Sequence, residues 1–202
     1  MNLDQYKVNW PPAQVGDWAI EKFTVTPEES RVDALRATLS ESGLKTRFTP
    51  PGDYTRLTYR GNTIMSDTPN ELIDLLPFFQ KAKGRVLIAG LGLGVALRGA
   101  LLKTEVNAVN VVELSSEVMD LVTPHFVHDP RVTIHLGSAF SWNPPAGVLY
   151  DTIWFDIWDT INADNLLQME LLKKLFAIYL TLGGWQGCWS EKESRILQKI
   201  GY

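Results

Sequence analysis

One cysteine, Cys188, leaves this chain nothing for an internal disulfide or a cysteine-based metal cage, and it reads as a small buried apolar residue. Histidine is nearly as scarce. His125, His128 and His135 are the three, and none forms a helical pair with an acid, so no metal is expected. No apolar run reaches the roughly 18 residues that span a bilayer, and the opening MNLDQYKVNW lacks the basic start and apolar core of a signal peptide. A reducing, cytoplasmic setting without a membrane partner is expected. Surplus positive charge is absent too: the net charge is −4 and the Lys and Arg residues are scattered, which argues against a nucleic-acid track. There is no internal repeat and no low-complexity segment. What remains is a globular balance, 45% hydrophobic and 21% charged over 202 residues. That length suits one domain with a small appendage, burying roughly 70% of its unfolded surface.

Residues 1–66 and 67–202 read differently. In the first part, strands are expected at Trp18–Thr26 and Tyr54–Met65, the latter folding back at Arg60-Gly61-Asn62. Between them Val32, Leu35 and Leu39 have helical spacing over Pro27–Ser42, with a stop at Gly43. This is a small α+β appendage. The second part alternates helix and strand. A capping box at Thr68-Pro69-Asn70-Glu71 opens a helix to about Lys81. Strands are expected at Arg85–Ala89, Ala108–Leu114, Val132–Leu136, Asp151–Ile157 and Trp185–Trp189, the last after a Gly183-Gly184 stop. Helices are expected from about Val95 to Lys103, at Ser116–Val122 and Asp164–Leu180, and after a second capping box at Ser190-Glu191-Lys192-Glu193. Such alternation implies a doubly wound, mostly parallel α/β sheet.

The apolar run Val86–Ala89 breaks into Gly90-Leu91-Gly92-Leu93-Gly94. A dinucleotide fingerprint would need glycine or alanine at Val95 or Leu97, so an NAD oxidoreductase ranks last. Glycine at every second residue resembles the class I S-adenosylmethionine-dependent transferases. Gly90, Gly92 and Gly94 are therefore cofactor-binding candidates, although glycine also serves close strand–helix packing. Glu113 closes the next strand, where a carboxylate can accept from both ribose hydroxyls. At the end of the third strand, Ser138 stands where the resembling families carry an acid for the adenine amino group, with the Ala139 amide as a helper. Phe140 reads more readily as core than as a ring stacked on the base.

From Val86 to about Glu191 the chain is similar to spermidine synthase, a polyamine aminopropyltransferase, through VLIAGLGLG, VVELSSEVMDLV, DPRVTIHLGSAF, YDTIWFDIWD and GGWQGCW. In the synthases a D-x-x-D at the end of the fourth strand holds and deprotonates the amine. The resemblance implies that role for Asp156 and Asp159. Strand alternation puts Trp154 and Trp158 on the same side as Asp156, as candidate aromatic contacts to a cationic substrate. Two departures point away from the synthases. Leu93 replaces the acid that recognises the donor's amine, and the glutamine and tyrosine signature ahead of the first strand gives way to Met65-Ser66-Asp67-Thr68-Pro69. That segment is similar to guanidinoacetate-type N-methyltransferases, which implies a place for Asp67 beside the methionyl group. Asn143-Pro144-Pro145 precedes its strand and is a loop.

The expectation is thus a methyltransferase using S-adenosylmethionine on a small amine-bearing molecule. A polyamine aminopropyltransferase is the alternative, and a noncatalytic adenosine-binding or scaffolding protein comes after it. The sequence offers no antiparallel hairpin after Trp189, so the fold is expected to be shortened. Either the N-terminal appendage or a second subunit, as in a homodimer, is expected to cover that edge strand.

Overall fold

The computed structural model describes residues 2–39 and 48–201. Two sheets organise them. The first runs antiparallel in chain order: β1 (Ala13–Val15), β2 (Trp18–Val25), β3 (Gly52–Tyr59) and β4 (Asn62–Ser66), with α1 (Pro27–Leu39) between β2 and β3. β1 has three residues, too few to show a period in the sequence. The stop expected at Gly43 lies outside the described residues.

The second sheet holds β5 (Gly84–Ala89), β6 (Val106–Glu113), β7 (Val132–Leu136), β8 (Tyr150–Phe155) and β9 (Leu180–Cys188). All its pairings are parallel, in the order β7-β6-β5-β8-β9. From β5 the chain steps outward to β6 and β7, then returns to the other side with β8. That reversal opens a crevice beyond the carboxyl ends of β5 and β8, where ligands bind in such sheets. Four helices are α2 (Pro69–Asp74), α3 (Leu76–Lys81), α4 (Val95–Leu101) and α5 (Ser116–Val122). They are joined by α6 (Asn165–Phe176) and α7 (Glu191–Ile200).

Alternation along the strands feeds two cores. Val86, Ile88 and Trp154 point into one, which also takes Ile20 and Leu57 from the antiparallel sheet. Leu87, Ala89, Ile153 and Phe155 point into the other, under α6. The antiparallel sheet packs against α5 through β1 and β2, so it does not pair with β9. Among the described residues no strand lies on the outer edge of β9.

Three local expectations need correction. The helix expected up to Lys81 is two helices, α2 and α3, because Pro77 has no N–H and its ring would clash with the carbonyl of Ile73 in a continuous helix. Gly183-Gly184 is no stop but an irregularity inside β9, which pairs with β8 on either side of it, at Leu180 and again from Trp185. Neither capping box forms: Thr68 and Ser190 make no side-chain bond to their helices. Glu71, the far member of the first box, bonds to Ser66 instead.

Candidate functional site

The glycine loop joins β5 to α4 at the crevice, and its backbone is held from three sides. The Gly90 amide donates to the Val112 carbonyl (2.8 Å) and the Leu91 amide to Glu113 Oε2 (2.7 Å). The Leu93 amide donates to Met65 Sδ (2.9 Å). Gly90 and Gly92 both have positive φ, and a side chain at either would collide with a neighbour, backbone at Gly90 and a flexible side chain at Gly92. At Gly90 a Cβ would strike the Asp156 carbonyl oxygen; at Gly92 it would strike Met65 Sδ. Those two glycines let the loop turn against the end of β8 and the end of β4 while leaving its outer face open to a ligand. Gly94 is different. It sits at the start of α4 and its amide closes the loop onto the Leu91 carbonyl (2.9 Å), so it shapes the turn without lining the crevice.

The crevice is a cleft of about 580 Å³, within the range of small-molecule sites. It brings together Gly90, Gly92, Glu113, Ser138, Ala139, Asp156, Trp158 and Asp159. Glu113 is held rigidly: besides the Leu91 amide on Oε2, its Oε1 accepts from the Ser115 amide (2.8 Å). Each oxygen keeps a second lone pair, enough for the two hydroxyls of a ribose. Ser138 Oγ accepts from the Phe140 amide (3.3 Å). Phe140 is not a core residue, as its sequence suggested; it is 40% exposed on the cleft wall, and Leu114, next to Glu113 in the chain, is also exposed there. Large apolar side chains left open beside a fixed carboxylate suit the flat faces of a nucleobase. The residues present therefore fit an adenosyl group.

Two candidates lie elsewhere. Asp67 is buried, and its carboxylate accepts from the amides of Thr55 (2.7 Å) and Val8 (3.2 Å), tying the N-terminal segment to β3. It does not line the cleft, so its place is structural. Trp154 is also buried, between Phe78 (ring centroids 5.4 Å apart) and Trp185 (6.0 Å). The strand alternation was read correctly, but the side it selects is core at Trp154. Its indole Nε1 reaches the cleft only by donating to Asp156 Oδ2 (3.3 Å). Trp158, by contrast, lines the cleft and is fixed by a bond from its Nε1 to Gln168 Oε1 (2.9 Å).

Four carboxylates line the cleft: Glu71, Glu113, Asp156 and Asp159. No Lys, Arg or His joins them among the described residues. Asp159 is exposed at the rim. Burial pushes Asp156 up to about 7, the Trp154 bond pulling the other way and the nearby negative charges of Glu71 and Asp74 adding to the rise. Burial likewise pushes Glu71 up to about 7, against the bonds from Ser66. Glu71 was missed in the sequence because its spacing from Thr68 reads as a helix cap; its proximity to Met65 and the glycine loop appears only in three dimensions.

No family model matches the chain. A polyamine aminopropyltransferase from Prochlorococcus marinus (strain MIT 9515) is 31% identical over 113 residues, which are 52% of this chain and 40% of that protein. The chain thus spans well under half the length of this curated relative. Among solved structures, spermidine synthase from Thermotoga maritima superposes with a TM-score of 0.54 at 15% identity, over 95% of this chain and 62% of that one. The fold is that of the class I S-adenosylmethionine-dependent transferases. An amino pentose methyltransferase from Micromonospora echinaspora, solved with S-adenosylmethionine bound, matches less fully: TM-score 0.45, 20% identity, 64% of this chain and 51% of that one. The cleft beyond β5, β6 and β8 lies at the switch point where ligands bind in open sheets of this kind.

Proposed function

We propose that this transferase moves an alkyl group from a sulfonium donor of the S-adenosylmethionine type to an amine, and that the group is methyl. The observation that carries the reading is the cleft itself: a ribose-ready Glu113 at one end, Asp156 at the other, and carboxylates without a cationic side chain between. Such a lining favours a donor that is itself a cation and an acceptor that enters as an ammonium. Asp156, ionised, takes the proton from that ammonium; the freed nitrogen lone pair attacks the carbon on sulfur. The N–C bond forms, the S–C bond breaks, and its electron pair stays on sulfur as a neutral thioether. No metal or redox partner is required by this balance.

Methyl is favoured over aminopropyl by Leu93. Its side chain is fully buried in the core behind the loop, so nothing acidic stands at that position to receive a second ammonium on a decarboxylated donor. Two observations favour the aminopropyl reading. The cleft has no base to neutralise the carboxylate of S-adenosylmethionine, and the aligned curated relative is named for aminopropyl transfer. Thermal shift with each donor separates them. Saturation at a hundredfold excess over the dissociation constant stabilises the fold by about 2.7 kcal/mol. S-adenosylmethionine is expected to stabilise at least as well as its decarboxylated form. A clear preference for the decarboxylated donor selects aminopropyl transfer, and no shift with either leaves both readings wrong.

A further inference from the structure

Helix α6 is apolar on two faces, and the fold uses one of them. Leu166, Met169, Leu172 and Phe176 are buried in the core beneath it. Leu167, Leu171 and Leu175 repeat at every fourth residue along the outer face, and Ile178 continues the row in the single 3-10 turn that follows, Ala177–Tyr179. All four are exposed, Leu167 to 78% and Ile178 to 75%. Leu182, at the start of β9, is fully exposed as well. A single exposed leucine is ordinary, but a contiguous row is not, and a helix that is apolar all round belongs in an interior. Beside the row stand Glu170 and Lys174, one turn apart on the same flank. Lys174 is exposed and makes no ion pair with any described residue. Glu170 reaches Arg195 at 3.8 Å, while Glu191 holds that guanidinium more closely, at 2.8 Å. Half of the Glu170 side chain remains exposed. The flank is therefore acidic first and basic one turn later.

We propose that the outer face of α6 is the contact between two copies of this chain, with the two helices lying antiparallel across a two-fold axis. The order of charge selects both the occupant and its direction. Antiparallel helices related by a two-fold set each flank against the same flank of the other copy. Glu170 of each copy then meets Lys174 of the other, so the contact is made twice. Leu167 of one copy comes level with Ile178 of the other, and Leu171 and Leu175 fill the centre. A parallel pair would instead turn this flank towards Gln168, which is neutral and already accepts from the Trp158 indole. The surface is the outer face of a helix, not the open edge of β9 where the sequence suggests a second subunit. It does not depend on what the cleft binds.

Sedimentation velocity of the full chain over a range of concentrations tests this. At high concentration the expected particle has twice the 22.7 kDa mass of one chain. Leu167→Gln combined with Ile178→Gln changes only exposed side chains, and is expected to give a monomer with an unchanged circular dichroism spectrum. Glu170→Lys and Lys174→Glu, made singly, each set two like-charge contacts across the axis and are expected to weaken association by about tenfold. Glu170→Lys combined with Lys174→Glu restores both contacts with their signs exchanged, and is expected to recover most of the lost affinity. A chain that stays monomeric at every concentration overturns the proposal, as does association that ignores the glutamine pair or the single reversals. A combined reversal as weak as the single ones overturns it too, because only a second copy carries the compensating change.

Discussion

Asp156→Asn is expected to cut turnover by about 10²–10⁴, the range for one positioned acid–base group, while the donor binds as before. Asparagine keeps the shape and can still accept from the Trp154 indole, but it takes no proton from an ammonium. Stability is expected to move the other way. The carboxyl is raised in the folded state from an ordinary value near 3.8 to about 7, so the fold binds its proton more tightly than the unfolded chain does. The stability this contributes is fully present below pH 4 and is lost as pH rises through 7. The asparagine variant does not suffer that loss. At pH 8 it is therefore expected to melt above the unsubstituted protein, by about 2–4 °C for each kcal/mol removed, and the gap is expected to close towards pH 4. Turnover by the unsubstituted protein is expected to run opposite to its stability, rising through pH 7 as Asp156 becomes a base. A variant that melts lower at pH 8, or one that retains full turnover, would contradict the role assigned to this residue.

Trp154→Ala is expected to lower stability by about 3–5 kcal/mol, the cost of removing a large aromatic ring from a packed core. Trp154 is 2% exposed and stacks with Phe78 and Trp185. Against a typical total of about 5–15 kcal/mol, such a loss leaves the variant marginal at physiological temperature. Trp154→Phe isolates the second function of the ring. It retains most of the packing but removes the Nε1 donor, which lowers the Asp156 pKa. Urea unfolding of the Phe variant is expected to show a small loss, while its pH–rate profile shifts to higher pH. A substrate-contact role would give another pattern, with the Michaelis constant for the amine raised and stability untouched in both variants.

The fold was legible in the sequence wherever one physical demand acted alone. The run Val86–Ala89 is apolar at every position because β5 is covered on both faces; of the glycines after it, Gly90 is forced by the backbone of Asp156 and Gly92 is favoured by its positive φ. The placement of Glu113 and Asp156 was legible for the same reason: each is an acid at the end of an apolar strand, and both line the cleft at the sheet's carboxyl edge. Legibility failed where two demands share a residue type. An acid three residues after a threonine serves a cap or a cleft equally well in sequence, and Glu71 serves the cleft. Asp67 looked like a ligand for a cofactor, but its oxygens are taken by the Thr55 and Val8 amides, and Val8 is 59 positions away. Alternation correctly put Trp154 and Asp156 on one side of β8. It could not show that this side is core at one residue and cleft two residues later, because the strand ends at Phe155. Phe140 erred in the opposite sense, an aromatic read as core that faces the cleft.

The central claim is that an adenosyl sulfonium donor occupies the cleft with its ribose on Glu113. Isothermal titration of S-adenosylhomocysteine into the unsubstituted protein and into Glu113→Ala tests it most directly, since this product of methyl transfer has no group left to transfer and needs no acceptor. The alanine variant loses a charge-assisted acceptor, worth roughly 1.5–3 kcal/mol, or about 10- to 150-fold in affinity. The account predicts one saturable site per chain in the unsubstituted protein and a loss of that size in the variant. Equal affinity in the two proteins, or no saturable binding in either, would contradict it.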